Sequence, residues 1–371
     1  MSDKANNAGV HASTGFELQK HCALFIILER FKELKNKNYF VCIEHSEDVV
    51  FGFFDVGDLK RIEAYQVKKS ATIWSINEDW RKIVLGILET GKFLAKDTFP
   101  KSKDYSHKLS FLSNQTSRLN IKIDDKENDK ENDKGKKKKI TISKNIDEAN
   151  SSVNFYALPK EIYETIKRDL ALQDTGLINE FNNLFFEYID LNKQVKEQRN
   201  CLKGKCCEVF GNKIADPEAA IDTIMKVFRK VEHEFNQGNK TRMLDESKRV
   251  YSKEINLAFD IITTRSMAFK LWREQKKDLV RGLKIPISQQ ENFEVQFDNS
   301  IDLFKDLSQI EHNKILKFVE KNKDMRDRFY DEAECIIELY NIYKKDYTCK
   351  LEDLVIKATI FAAYIKVGGM G

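Results

Sequence analysis

Hydrophobic and polar positions follow a strand-like pattern in the stretch after residue 38. Tyr39–Ile43 (YFVCI), Val49–Phe54 (VVFGFF) and Ile62–Val67 (IEAYQV) are rich in β-branched and aromatic residues. The turn-forming sequence Asp55–Asp58 (DVGD) joins the second run to the third. Runs of this length and composition, bounded by turn residues, are typical of β-strands. The stretch therefore predicts three consecutive strands.

The segment before these strands predicts one long helix. Residues 15–35 are apolar around most of a helical circumference, and Ser13 or Thr14 precedes them as an N-cap candidate. Such a helix has to be buried on most sides. Gln19 is its polar exception, and its side chain either faces solvent or reaches into a site. Residues 1–13 are polar and are expected to be disordered.

After the three strands the pattern predicts a second helix and a fourth strand. Asn77 is an N-cap candidate, and apolar residues at helical spacing follow it from Trp80 to about Ala95. His107–Ser113 (HKLSFLS) returns to strand composition. The predicted order at the start of the chain is helix, three strands, helix, strand, which is an αβββαβ arrangement.

Residues 117–150 interrupt this pattern. They include DKENDKENDKGKKKK, a short charged repeat that ends in a lysine run, and no apolar residue lies between Ile123 and Ile140. Nothing in such a sequence draws it into a core, so it predicts a solvated insertion between strands. The alternative is a flexible basic tether that touches DNA phosphates.

Ordered elements are expected again after the insertion. Val153–Leu158 and Leu184–Leu191 predict strands. Pro159 suits the first turn of a helix that runs to about Leu172, and Asn192 is the cap of a helix that runs to about Phe210. These elements complete a first domain that spans residues 1–212 and contains the charged insertion.

The remainder, residues 213–371, predicts an all-helical domain. Asp216 is an N-cap candidate and Pro217 suits the first helical position, which places a boundary just before them. Apolar residues keep helical spacing through most of this half, and no catalytic constellation occurs in it. Its tail, Leu354–Val367, is apolar enough to need a partner within the chain or from another subunit.

The composition limits the cellular compartment and the classes of binding partner that are expected for this protein. The chain has 371 residues, a net charge of +4 and seven cysteines. The charge is too small for a global basic field, so any nucleic-acid groove has to be local. No apolar run reaches the length of a membrane span and no signal peptide is evident, so a cytoplasmic protein with reduced thiols is expected. Cys201, Cys206 and Cys207 are interpreted as ordinary helix cysteines, with a zinc site as the alternative.

Three polar residues stand out on the otherwise apolar strands. Asp48 opens the second strand, and Gln66 and Lys68 lie two residues apart on the third, so their side chains share a face. An acid beside an amide and an amine suits a divalent cation with a lysine next to it, whereas a sheet interior has no other obvious use for them. The alternative is that these are solvated charges at strand ends.

The motifs resemble a known nuclease family. Gly15-Phe16-x-x-Gln19, Glu44-x-x-x-Asp48-Val49 and Tyr65-Gln66-Val67-Lys68 with Trp74 downstream are similar to the double-strand DNA endonuclease domain of CBASS effectors. The same domain is seen in the nuclease subunits of Lamassu anti-phage systems. The resemblance covers residues 13 to about 212 and implies the restriction-endonuclease-like α/β core of the PD-(D/E)XK superfamily. Gln66 replaces the second acid of the superfamily pattern.

The resemblance implies a role for each candidate residue. Asp48 is the principal ligand of Mg²⁺, or of Mn²⁺ in its place, and Gln66 adds its side-chain oxygen or orients a water. Lys68 positions the attacking hydroxide and stabilises the developing charge. Glu44 is either a second ligand or a base next to the ligands. Gln19 is an auxiliary residue.

The whole chain looks most like the Lamassu nuclease subunit, because the helical half does not resemble a cyclic-nucleotide sensor. This implies a gated effector that cuts double-stranded DNA with little sequence preference, associates with an SMC-like ATPase and accessory defence subunits, and oligomerises on activation. The alternatives are the nuclease partner of a HerA-type ATPase, a non-catalytic helical scaffold with a degenerate nuclease core, and a ribonuclease or stand-alone restriction enzyme.

Overall fold

The computed structural model describes residues 8–45, 47–124, 139–214, 216–232, 246–306 and 308–368. The chain divides into two compact units. One comprises Met1–Lys205 and Ile221–Ile255, and the other comprises Cys206–Ala220 and Asn256–Gly371. The first unit contains the sheets and the second is helical, so the expected mixed α/β core followed by a helical region is confirmed.

The described strands of the first unit form a seven-stranded sheet and a separate two-stranded sheet. They are β1 (Tyr39–His45), β2 (Glu47–Asp55), β3 (Asp58–Lys68), β4 (Lys101–Ser113), β5 (Ser117–Asp124), β6 (Lys139–Ile146), β7 (Ser152–Asn154), β8 (Leu184–Tyr188) and β9 (Val250–Tyr251). The order in the large sheet is β7-β8-β4-β3-β2-β1-β9. Strands β1 to β3 pair antiparallel, whereas β3, β4 and β8 run parallel.

Twelve α-helices occur in the described residues. They are α1 (Ala8–Glu29), α2 (Phe31–Leu34), α3 (Glu78–Lys96), α4 (Lys160–Leu170), α5 (Thr175–Asn179), α6 (Val195–Phe210), α7 (Pro217–Glu232), α8 (Ser252–Gly282), α9 (Gln290–Leu303), α10 (Ile310–Lys321), α11 (Glu332–Asp346) and α12 (Asp353–Gly368). No described helix is both long and apolar enough to cross a membrane.

The sheet is covered by helices on its apolar surfaces. Helix α1 packs against β1, β2 and β3. Helix α3 has an apolar stripe, with Trp80, Val84 and Ile87 fully buried, that joins the core formed by the sheet and α4. The Asn77 side chain accepts a hydrogen bond from the Trp80 N–H at 2.8 Å, which confirms the predicted N-cap of this helix.

The first helix differs from the sequence expectation at both ends. It begins at Ala8, so residues 8–13, which were expected to be disordered, have helical backbone. No proline interrupts this segment, and Ser13 and Thr14 are tolerated inside a helix once its following turns are packed. At the other end Arg30 departs from helical geometry (φ −99°, ψ 17°), and the short α2 follows it.

The prediction that residues 117–150 form a solvated insertion is partly wrong. Its two flanks pair as the antiparallel strands β5 and β6, and Leu119 and Ile146 on them are buried in the core. Alternating Leu, Ile and Ile at positions 119, 121 and 123 gave a strand signal that the neighbouring charged repeat obscured. Residues 125–138, which contain most of the repeat, lie outside the described part of the chain.

Other elements follow the expected order with local differences. The strand expected over Val153–Leu158 ends at Asn154, whose side chain accepts from the Tyr156 N–H at 3.0 Å and caps a 3₁₀ turn at Phe155–Ala157. In the second half, the described elements are helical except for β9, which pairs with β1 at the edge of the large sheet. The apolar tail forms helix α12 and finds its partner within the chain, because residues 356–365 are all buried in the helical unit.

Candidate active site

The register of β2 and β3 decides where the polar side chains meet. Val49 pairs with Tyr65 and Val50 with Ala64, so Asp48 faces Gln66 across the two strands. On β3, Gln66 and Lys68 alternate with the buried Val67 and therefore lie on one side of the sheet. Strand β4 continues beside them, with Lys68 next to Ser113 in register.

Asp48, Gln66 and Lys68 form one cluster. The Asp48 Oδ2 atom accepts hydrogen bonds from Gln66 Nε2 and from the Val67 backbone N–H, the latter at 2.7 Å. Lys68 Nζ lies 3.7 Å from the same oxygen, with the Lys68 side chain 30% and the Asp48 side chain 15% exposed. The three groups that the sequence singled out are thus in contact, at a place that water and a substrate can reach.

Gln19 lies on the helix that passes this cluster. It is 8% exposed, and its Oε1 atom has no hydrogen-bond partner among the described residues. Cys22, one turn later on α1, has its pKa raised by burial and, to a smaller extent, by the charge of Asp48. A buried amide oxygen left unpaired costs stability unless a ligand or water satisfies it.

Glu44 is at the rim of the site. It falls between the register pairs Ile43–Val49 and His45–Glu47, so it occupies the position of β1 that faces Asp48. Its backbone has a positive φ of 56°, which is unusual for a residue other than glycine and marks a break in the strand. The Glu44 side chain is exposed, unlike that of Asp48.

Glu47, the residue before Asp48, is a buried carboxyl that the sequence analysis did not single out. It is 8% exposed. Burial raises its pKa to about 7 and the charge of Asp48 contributes to the rise, while a hydrogen bond with Thr90 and the charge of Lys68 oppose it. Glu47 begins a strand that is otherwise mostly apolar, and an acid in such a position is rarely fully solvated. The sequence therefore contained a signal from which a buried carboxyl could have been predicted.

Ser113 and Trp74 complete the end of the sheet beside Lys68. The Trp74 indole N–H donates to Ser113 Oγ at 3.0 Å, and the Trp74 ring packs edge-on against Phe111 at 5.4 Å. Ser113 is fully buried. The sequence motif had included Trp74 but gave no role to Ser113, whose importance appears only through its register with Lys68.

The residues present fit a water-rich divalent site rather than a closed protein cage. Among the described residues, no group of three or more His, Cys, Asp or Glu side chains is placed to hold a metal. The Asp48 carboxylate and the Gln66 amide are nevertheless hard oxygen donors that lie in contact. Mg²⁺ commonly keeps several waters and needs one or two protein ligands, so this donor set is sufficient for it.

The cysteines form no comparable site in the part of the chain that the structure describes. Cys201, Cys206 and Cys207 lie on α6 as free thiols, and burial raises the pKa of Cys206 to about 12. A thiol held protonated is a poor metal ligand and a poor nucleophile. The strongest candidate for chemistry among the described residues is therefore the cluster where β2 begins and β3 ends.

Comparison with known proteins identifies the family of the first part of the chain. No curated protein and no solved structure matches the chain. The family model described as the Cap4 dsDNA endonuclease domain matches residues 7–230, which is more than half of the 371 residues and includes Asp48, Gln66 and Lys68. The chain therefore belongs to the family of Cap4 double-stranded DNA endonuclease domains, a nuclease of the anti-phage type.

Proposed function

We propose that this protein is a Mg²⁺-dependent endonuclease with a PD-(D/E)XK-type, restriction-endonuclease-like core, which cuts double-stranded DNA with little sequence preference. One observation carries the proposal: Asp48, Gln66 and Lys68 are in contact at the end of β2 and β3, inside the segment that matches the endonuclease family. An acid, an amide and an amine at one accessible point provide the groups that phosphodiester hydrolysis requires.

The chain's own residues divide the work at this point. Asp48 and Gln66 hold the cation, with the exposed Glu44 available as a further oxygen ligand at the rim. When bound there, Mg²⁺ supplies positive charge for the phosphoryl oxygens and promotes the ionisation of water. Mn²⁺ binds the same kinds of oxygen ligand and is expected to replace Mg²⁺. The Gln19 oxygen, which is buried and has no partner among the described residues, would accept a hydrogen bond from a water of the hydrated cation.

Lys68 is the residue that acts on the reacting phosphate. Its ammonium orients the attacking water and interacts with the negative charge that develops on the phosphoryl oxygens. The water oxygen forms a bond to phosphorus and the attacking water releases a proton to solvent. The bond to the leaving oxygen breaks, and solvent supplies the proton that this oxygen takes up. Because Lys68 is only 30% exposed, its charge is less screened than that of a surface lysine.

An unrestrained nuclease of this kind would destroy the host chromosome, so its activity has to be gated. We propose that the chain is the effector of a Lamassu-like defence complex in the cytoplasm, held inactive with an SMC-like ATPase and accessory subunits and oligomerising when the partner senses foreign DNA. The helical unit, which has its own core, is the part assigned to partner binding or oligomerisation. A HerA-type ATPase is the alternative partner.

The experiment is a cleavage assay on the full chain, alone and with the products of neighbouring genes. Linear and plasmid DNA are offered with Mg²⁺, with Mn²⁺ and with a chelator. Cleavage that needs the metal and the partners, without a consensus site, is the expected result. Cutting by the isolated monomer would contradict the gating, and a ladder with a consensus sequence would indicate a restriction enzyme. Cleavage of RNA alone would overturn the assignment of DNA as substrate.

One observation favours a second candidate, a non-catalytic scaffold with a degenerate nuclease core. Gln66 occupies the place of an acid, and no cluster of three acidic, histidine or cysteine ligands lies in the described residues. Calorimetry with Mg²⁺ or Mn²⁺ separates the two functions. Binding that Asp48→Ala abolishes supports the nuclease, and absence of binding at millimolar metal supports the scaffold.

A further inference from the structure

The β5–β6 ribbon, residues 117–124 and 139–146, has two different faces. Leu119 and Ile146 are buried in the core of the first unit, with Ile121 and Ile142 partly buried against it. Because side chains alternate along a strand, the intervening positions face away from this core. The ribbon is thus anchored by one face and presents the other to solvent.

The outer face carries mostly basic and neutral polar side chains. Three of its cross-strand pairs are Arg118–Asn145, Asn120–Ser143 and Lys122–Thr141, and a fourth, Asp124–Lys139, places one acid opposite a lysine at the end of the ribbon. Arg118, Asn120 and Lys122 are exposed, and neither Arg118 nor Lys122 forms an ion pair with any described residue. No acidic residue occupies these three pairs. Unpaired cations flanked by hydroxyl and amide groups are the side chains that proteins use to contact DNA phosphates.

The ribbon begins beside the candidate active site. The Arg118 N–H donates to the Trp74 carbonyl at 2.8 Å, and the Trp74 N–H donates to the Thr116 carbonyl at 3.0 Å. The indole of the same Trp74 donates to Ser113, the register neighbour of Lys68. Trp74 therefore fixes the first residues of the ribbon to the strand end at which Lys68 lies.

We infer that the outer face of the β5–β6 ribbon binds the phosphate backbone of the duplex that Lys68 cleaves. Arg118 and Lys122 are the cationic contacts, and they lie about 13 Å apart along the strand at roughly 3.3 Å per residue. Asn120, Thr141 and Ser143 add neutral hydrogen bonds to phosphate oxygens. The contacts are to the backbone, so they hold the duplex against the site without selecting a sequence. The inference rests on the proposed function and adds the surface by which the site holds its substrate.

Backbone contacts of this kind have a measurable signature. Each phosphate that a lysine or arginine neutralises releases counterions, and the slope of log K against log salt changes by about 0.9 per contact on duplex DNA. Loss of Arg118 and Lys122 should therefore reduce that slope by about 2 and weaken binding uniformly across sequences.

The test measures binding of a short synthetic duplex by full-length protein that carries Lys68→Ala to prevent cleavage. Arg118→Ser with Lys122→Ser in this background is compared with Lys32→Ser and Lys103→Ser. The control removes the same two charges from exposed positions on α2 and near the first residue of β4. Circular dichroism verifies that all variants are folded, and fluorescence anisotropy gives affinity over a range of salt.

The expected result is a loss of about tenfold or more in affinity and the smaller salt slope in the ribbon variant only. Equal binding by the ribbon and control variants would overturn the inference while leaving the proposed nuclease intact. Failure of the Lys68→Ala parent to bind any duplex DNA would overturn both. Preference of the ribbon for duplex RNA over DNA would also contradict the inference.

Discussion

The ion pair between Lys68 and Asp48, to which we assign a catalytic role, contributes little to folding. The two charges are 3.7 Å apart and partly exposed, so solvent screens them and their pairing stabilises the protein only weakly. In the proposed mechanism their proximity serves the chemistry, because it places the Lys68 ammonium next to the Asp48 carboxylate at an accessible point. Substitution at this site should therefore change rate far more than stability.

Lys68→Ala is expected to reduce DNA cleavage by about 10²- to 10³-fold, because removal of one preorganised charge from a developing anion costs this much in comparable enzymes. The folded state should lose less than about 1 kcal/mol. Cleavage rates under saturating metal and chemical denaturation test the two statements separately.

Lys60→Ala is the matched control for this prediction. Lys60 lies on the same strand near its other end, where it is exposed and pairs with Asp55 at 2.8 Å and Asp104 at 3.4 Å. Its replacement should leave the cleavage rate unchanged. A Lys68→Ala protein that cuts as fast as Lys60→Ala would remove Lys68 from the mechanism.

At the scale of elements, helix α3 packs closely on strand β4, and this close packing requires a glycine at position 91. Gly91 of α3 lies where an added Cβ would come within 2.5 Å of both Glu180 Oε2 and Leu109 Cδ1. Both neighbours are buried, and Glu180 is fixed by hydrogen bonds from His107 Nε2 at 2.6 Å and Asn183 Nδ2 at 2.9 Å. The absence of a side chain at Gly91 is thus a condition for packing α3 on β4.

Gly91→Ala is expected to destabilise the protein by about 1–3 kcal/mol, because the buried neighbours cannot move away without loss of packing. Gly86→Ala on the same helix meets no atom within 4 Å and should instead stabilise it by up to about 1 kcal/mol through helix propensity. Denaturant unfolding of both variants provides the measurement. Equal effects would show that α3 does not approach β4 this closely.

The same junction should respond to pH. Burial alone would raise the pKa of Glu180, but hydrogen bonds from His107 and Asn183 and the charge of His107 outweigh it, so its pKa lies below the ordinary value of 4.5. A carboxyl whose pKa is lower in the folded state binds fewer protons there than when unfolded. Its contribution to stability is therefore present above about pH 4.5 and is lost as pH falls through the folded pKa.

Glu180→Gln should reduce this dependence. Between pH 7 and pH 3 the wild type is expected to lose more unfolding free energy than the variant, measured by urea denaturation at each pH. At pH 7 the variant should be the less stable of the two, since a neutral amide is a weaker partner for His107. Parallel pH profiles for the two proteins would contradict the assignment.

On the scale of the whole molecule, each unit has its own core. In the helical unit Phe361 of α12 is fully buried and packs on Phe297 at 5.0 Å, Phe293 at 5.8 Å and Trp272 at 6.2 Å. This aromatic cluster joins the consecutive helices α8 and α9 to α12, which follows them by about 50 residues in the sequence. The stability of the helical unit should depend on it, whereas the sheet has its own buried residues.

Phe361→Ala is expected to destabilise the helical unit by about 3–5 kcal/mol, because it opens a cavity in a closely packed core. Hydrogen exchange should rise in helices α9 to α12 and remain unchanged in strands β2 to β4. Tyr330→Ala, which removes a fully exposed aromatic side chain from the same unit, should change neither. Equal loss of protection in the sheet would show that the two units unfold together.

Much of the α/β unit could be predicted because its signals are local. Runs of β-branched and aromatic residues bounded by turn residues predicted β1 to β3, and an asparagine cap located α3 within a residue of its start. The parts that sequence analysis missed depend on contacts with distant elements. Strand β9 has two residues and exists only because β1 offers an edge, and β5 was hidden by the charged repeat next to it.

The sequence by itself determined the three residues that carry the candidate chemistry, because alternation along β3 places Gln66 and Lys68 on one face whatever the rest of the chain does. It also determined the helical character of the second half through apolar spacing. The tertiary structure decided that Asp48 Oδ2 meets both of these side chains, that Glu47 is buried beside them and that Trp74 ties the β5–β6 ribbon to the same strand end. These depend on strand register and on packing between segments, and no local pattern encodes the free energy of either.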